Sequence, residues 1–346
     1  MDNILFSIGS ATVFKNAAVI TLGVILCSLL TLMLYKRRTG TAAAAVVMLP
    51  IAYILSILLS RFLHWYFTGY AYTSFKEAFT NFSVGSFALA GVILGIWLAA
   101  AIVHRAGLCE STGLLLDCTC PGFCLLVAFI RLSCYYTSTC IGNINITTRL
   151  FQWSPLAIAI TDNAGNTDYR LRVYFMEAVL MLALAVVTLL WLKRLEDVPM
   201  QRPCSRHGNT ARRFLVLFAC IEIVMDSLRN DSILMRFRFL HQLNPYSSFI
   251  SLAQVFALAL LLYVFIYYLV CAAKIYGFGK RHIKAIVLFL LCAVLMGGTG
   301  EFCIQRFGMV RLLLTVRTWG YLSMLIGCAG MVWNITGLYR DCTEEP

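Results

Sequence analysis

Nine stretches dominated by apolar side chains recur along the chain, at residues 17–35, 43–60, 84–103, 113–131, 175–192, 214–228, 248–273, 285–300 and 319–338. A helix of about 20 such residues crosses the hydrocarbon core of a bilayer. In lipid, each backbone N–H and C=O must find its partner within the same segment, so stretches of this length are read as helices. No soluble core could absorb them all: 60% of the 346 residues are hydrophobic and 13% are charged, where a soluble domain carries about 25% charged residues. The sequence therefore specifies an all-α polytopic membrane protein and excludes a secreted domain or a cytosolic enzyme. The first stretch ends at Lys36-Arg37-Arg38 without an obvious small-residue cleavage site, so it is read as a permanent span rather than a removable leader.

The formal charge is +12, from 28 Lys and Arg against 16 Asp and Glu. In a multi-pass protein, cytoplasmic loops and anionic lipid headgroups account for that excess, and no nucleic acid is expected as a partner. Placing the N-terminus outside puts the dense clusters at Lys36–Arg38, Lys193–Arg213 and Lys274–Lys284 all on the inner side. The outward loops 61–83, 132–172 and 229–247 are the longer ones, as a head over a membrane site requires. Most of the fourteen cysteines lie inside apolar runs, where Cys behaves as a small hydrophobe. Cys118, Cys120 and Cys124 lack zinc-pair spacing and a nearby His, so no metal is expected.

Ionisable residues inside or at the ends of spans carry the most information. A charge at the bilayer centre costs about 2.5–3.5 kcal/mol on the mildest scales. They are Arg61, Asp117, Arg131, Glu177, Glu222, Asp226 and Arg229. Asp226 and Arg229 are three apart and would pair on one helix face. Arg61, Arg131 and Arg229 each fall at the outer end of a span, and three guanidinium groups at one depth suit a phosphate headgroup. Taken singly, each arginine also reads as an interfacial anchor. The run His64-Trp65-Tyr66-Phe67 reads as part of an interfacial aromatic belt.

Short motifs stand around these charges in a definite order. Phe6-Ser7-Ile8-Gly9 precedes the first span, and Gly91 and Gly95 lie in the third. Leu115-Leu116-Asp117 is followed by Pro121, then by Arg131, and eleven residues later by Gly142. Arg202-Pro203, Asp226-Ser227-Leu228-Arg229 and Ser251-Leu252-Ala253-Gln254 complete the series. In order and spacing the series resembles the prolipoprotein diacylglyceryl transferases of bacterial inner membranes, over roughly residues 5–272. The resemblance implies a seven-helix diacylglyceryl-transferase-like core in residues 1–272 and two additional transmembrane helices in 273–346. It also implies an activity: moving diacylglyceryl from phosphatidylglycerol to the thiol of a lipobox cysteine on a prolipoprotein signal peptide, with no cofactor.

On this reading Arg131 clamps the phosphate, Arg229 supports it through Asp226, and Gly142, Arg61 and Asp117 belong to the substrate site. Glu222 or Glu177 accepts the thiol proton, because a carboxylate in apolar surroundings holds its proton more firmly and can serve as a base. The chain also departs from the family pattern. Leu89 and Ala90 stand near the place of the family's histidine, Cys134 and Ser133 replace Asn and Gly after Arg131, and Thr139 replaces a glutamate. Glu222 stands at an arginine position and Asn16 at a tyrosine position. Two alternatives follow: a non-catalytic relative that binds a phospholipid or a membrane partner, and a headgroup enzyme using Cys134 beside Arg131 as internal nucleophile.

Overall fold

The computed structural model describes residues 3–8, 11–67, 74–80, 87–161, 165–194, 207–230, 250–301, 304 and 314–343. Among them, seven helical segments are long and apolar enough to cross a membrane: Lys15–Thr39, Ala43–Phe67, Thr112–Thr137, Val173–Arg194, Leu252–Tyr276, Lys280–Gly298 and Thr318–Cys342. These answer seven of the nine stretches, and the chain is a multi-pass, all-α membrane protein. The other two differ for physical reasons. The third stretch becomes α4 (Leu89–Arg105), an apolar helix of 17 residues. At 1.5 Å per residue it rises about 25 Å, the short end of the range for a crossing. The sixth becomes α8 (Asn209–Leu228), whose 20 residues include four charges, Arg212, Arg213, Glu222 and Asp226.

The chain forms two compact units. The first comprises residues 1–52, 99–197 and 228–231. It opens with an antiparallel hairpin, β1 (Ile4–Ile8) and β2 (Ala11–Phe14), which leads into α1 (Lys15–Thr39). Helix α1 shows two stripes. Gly23, Cys27, Thr31 and Tyr35 are buried at four-residue spacing, while Leu22, Ile25, Leu29 and Met33 are exposed. An exposed apolar stripe on a polytopic protein is what lipid contact requires, and the small-residue stripe lets a neighbour approach closely. That neighbour is α5 (Thr112–Thr137), which packs between α1 and α7 (Val173–Arg194). Of the apolar window of α5, 72% is buried, against 17–44% for the other six spans. It is the axle of this unit. Ser111 caps its N-terminus by accepting from Gly113 N at 3.1 Å. Between α5 and α7 the chain makes α6 (Arg149–Gln152) and the antiparallel pair β3 (Ala157–Thr161) and β4 (Thr167–Leu171).

The second unit comprises residues 53–98, 198–227 and 232–346. Within it, part of α2 (Ala43–Phe67) packs on the start of α4. A Cβ at Gly91 would lie 2.3 Å from the Ser60 backbone, and one at Gly95 would lie 2.5 Å from Ser56 N. The glycine pair in the third stretch therefore serves helix contact. A short α3 (Phe75–Thr80) lies beside α2, with Trp65 and Phe75 edge to face at 4.8 Å. The larger core joins α8 and α9 (Leu252–Tyr276) to α10 (Lys280–Ala293), the π-helical stretch Val294–Glu301, and α11 (Leu314–Thr343). Ala219, Leu261, Val264, Met324 and Met331 are buried at its centre. Asn334 Nδ2 donates to Ala285 O at 2.8 Å, a polar tie between α11 and α10. The helices beyond residue 273 thus share one core with α8 and α9. Arg202-Pro203 and Gly9 lie outside the described residues.

Candidate functional site

Helix α5 ends where the β3–β4 excursion begins, and α7 starts where it returns, so the end of one helix and the start of the other share one end of the first unit. Arg131, six residues before the end of α5, meets Glu177 in the second turn of α7. Arg131 Nε donates to Glu177 Oε1 as an ion pair. Arg131 is 8% exposed and Glu177 is fully buried, so neither charge is compensated by bulk water. Glu177 Oε2 has no hydrogen-bond partner among the described residues. On the other side of the guanidinium, Arg131 Nη1 lies 3.9 Å from Cys140 Sγ. Cys140 Sγ in turn lies 3.0 Å from Cys134 Sγ. The two cysteines pack with Ile158 and Tyr174 in a small buried cluster.

The chain reaches this geometry through a tight exit from α5. Ser138 takes the left-handed conformation and its N–H bonds Cys134 O. Cys140 is also left-handed, with φ 56. Residues 141–146 then run between two backbone edges. Gly142 N donates to Leu171 O at 2.8 Å and Ile146 N to Tyr169 O at 2.7 Å. On the other edge, Asn143 N donates to Leu228 O and Asn230 N to Ile141 O, both at 2.9 Å. Gly142 and Arg229 therefore form an antiparallel bridge. A Cβ at Gly142 would stand 2.8 Å from Leu171 Cβ and 2.9 Å from Leu171 O. Only glycine admits this approach, which gives the position eleven residues after Arg131 its physical reason.

The hydrogen bond to Cys134 and burial raise the Cys140 thiol above its ordinary value, while the guanidinium charges of Arg229 and Arg131 pull it down. Both arginines thus act on the same sulfur. Helix α8 ends at Leu228, so Arg229 is the first residue beyond it and its backbone joins the 141–143 edge. Backbone pairing with Gly142 thus fixes the position of Arg229 at the end of α8.

The structure brings together Arg131, Glu177, Gly142, Arg229 and Cys134. The other residues the sequence singled out have these places in their own units. Asp117 is buried near the start of α5, fourteen residues before Arg131, or about 21 Å along the helix axis. Arg61 is fully buried in the second unit, where its Nε donates to Ala78 O at 2.8 Å and its Cζ lies 5.3 Å from the Phe87 ring centre. Glu222 and Asp226, 3% and 4% exposed, lie on α8 in that unit. Asn16, at the tyrosine position, exchanges hydrogen bonds with Asn3 at 3.2 Å. Sequence reasoning missed Cys140, which reaches Arg131 only because the chain turns back after α5. It also missed Arg172 beside Tyr174, whose buried Nε has no hydrogen-bond partner among the described residues.

A family model described as prolipoprotein diacylglyceryl transferase matches residues 3–272. The chain belongs to that family. The match contains the Arg131–Glu177 pair, the Gly142–Arg229 bridge and nearly all of α9, and it ends before α10. No curated protein matches the chain significantly.

Proposed function

We propose that the chain transfers the diacylglyceryl group of phosphatidylglycerol to the thiol of a lipobox cysteine on a prolipoprotein signal peptide. The setting is the bacterial cytoplasmic membrane, with the N-terminus outside and the 138–172 excursion on the outer side. The observation that carries this reading is the buried Arg131–Glu177 pair beside the Gly142–Arg229 bridge, in a member of this family. In the reaction the cysteine sulfur forms a bond to the glyceryl carbon, the carbon–oxygen bond breaks, and glycerol phosphate leaves with that electron pair. Arg131 and Arg229 hold the phosphate. The thiol proton passes to Glu177 at Oε2, in preference to Glu222, because Glu177 is joined to Arg131 and its Oε2 has no hydrogen-bond partner among the described residues. The balance requires neither metal nor cofactor. Arg61, engaged with Ala78 O, holds α2 to α3. Residues 1–272 form the family core and 273–346 are an addition to it.

A second reading is favoured by the departures at Leu89, Cys134, Thr139 and Glu222: a non-catalytic relative that keeps the Arg131 site to bind phospholipid. Complementation separates the two. In a bacterial strain depleted of its own transferase, this chain restores growth and lipoprotein modification, and Arg131→Ala does not. Phosphatidylglycerol binding by the chain without restored modification supports the second reading instead.

A further inference from the structure

Cys134 and Cys140 face one another across the end of α5, with Sγ atoms 3.0 Å apart and neither sulfur in a disulfide. This is the two-thiol arrangement at the arginine centre, and it stands where the transferase reaction has no use for either sulfur. Cys134 lies in the last turns of α5 and Cys140 at the start of the return segment, so a bond between them would tie loop to helix. Ser138 and Cys140 are the non-glycine residues with positive φ among the described residues, and they bracket the bend that brings the sulfurs together. A left-handed non-glycine residue costs of order 1 kcal/mol and persists where its surroundings hold it. Arg131 Nη1, 3.9 Å from Cys140 Sγ, supplies the fixed cation that favours thiolate over thiol at such a pair.

We propose that Cys134 and Cys140 are a reversible disulfide site, closed by thiol–disulfide exchange and fastening the 138–142 loop to the end of α5 beside Arg131. The co-reactant is a disulfide, RSSR, of a protein or of glutathione. The Cys134 thiolate attacks one sulfur of RSSR, forming a mixed disulfide and releasing RS⁻. Cys140 then gives up its proton and attacks Cys134 Sγ, releasing the second RS⁻. The sum is two protein thiols and RSSR giving one protein disulfide and two RSH, with the cysteines oxidised and RSSR reduced. Such a disulfide persists on the outer, oxidising side of a membrane, a placement that rests on the orientation proposed above. The pairing itself does not.

The test uses the full-length chain in native membranes. Trypsin cleavage after Arg131 and Arg149 would release Leu132–Arg149, which carries Cys134 and Cys140 and no other cysteine. Membranes are incubated with excess oxidised or reduced glutathione, alkylated under denaturing conditions, digested and weighed. After oxidised glutathione the peptide is expected to carry no alkyl group and to be two hydrogens lighter than its reduced form. Dithiothreitol then restores both alkylation sites, while the peptide with Cys118, Cys120 and Cys124 stays alkylated throughout. In Cys140→Ser, oxidised glutathione is expected to leave an unresolved glutathione adduct on Cys134. A wild-type peptide with two alkyl groups after oxidant, or one trapped as a glutathione adduct, overturns the inference. The masses are read whether or not the sample transfers diacylglyceryl, so failure here is distinct from failure of the proposed activity.

Discussion

Removing one partner of the Arg131–Glu177 pair strands a charge where water does not reach. Glu177 is fully buried and Arg131 is 8% exposed, so Glu177→Leu takes a buried carboxylate away from the Arg131 guanidinium between α5 and α7. Breaking a buried pair in this way costs about 3–5 kcal/mol, whereas replacing both partners with apolar residues of similar volume is often neutral or stabilising. At about 1.4 kcal/mol per decade, the single variant lowers the folding equilibrium constant by roughly two to four decades. The double variant Arg131→Met/Glu177→Leu recovers most of that loss. Reversible unfolding in mixed micelles, followed by far-ultraviolet circular dichroism, measures all three proteins. Diacylglyceryl transfer is assayed on the same samples. The double variant is expected to be folded and inactive, which separates the pair's contribution to stability from its part in chemistry. Two results refute the reasoning: single substitutions costing less than about 1 kcal/mol, the range of an exposed pair, or a double variant as unstable as the sum of the singles.

Gly142→Ala places a methyl 2.8–2.9 Å from Leu171 and lowers stability by about 1–3 kcal/mol, read in the same unfolding assay. Gly95→Leu drives a side chain into the Ser56 backbone of α2, and its expected outcome is loss of folded protein from membranes, measured by protease resistance. Arg61→Met removes the donor to Ala78 O and destabilises the chain while leaving the Michaelis constant for phosphatidylglycerol unchanged, because Arg61 acts on α3. For Cys140 the sign follows from its raised thiol value. Above the ordinary value of about 9 the unfolded chain loses a proton that the folded chain keeps, so under reducing conditions this group's stabilisation is present below pH 9 and is lost progressively above it. Cys140→Ser flattens that decline in an alkaline unfolding titration.

The membrane architecture was legible because it depends on length and apolarity, quantities carried by each segment alone. The short stretch 214–228 was the least secure, and its helix α8 carries four charges, a property of the local sequence. Arg131 and Glu177 stood out because a charge in an apolar run is costly enough to require a reason. Their pairing was not legible, since it depends on α5 and α7 starting and ending at the same level across a long excursion. Gly142 was legible as a position and not as a cause, which is the backbone of β4 pressed against it. Cys140 was missed because a polar loop after a helix gives no sign that two left-handed residues turn it back.

The central claim is that the guanidinium at 131 stabilises a departing glycerol phosphate. Membranes containing the chain are supplied with phosphatidylglycerol and a lipobox peptide, and the peptide thioether is quantified with the glycerol phosphate released. The account predicts equal amounts of both products from the wild-type chain and neither above background from Arg131→Ala in folded form. Equal product from both proteins, or none from the wild type where another member of the family is active, would contradict it.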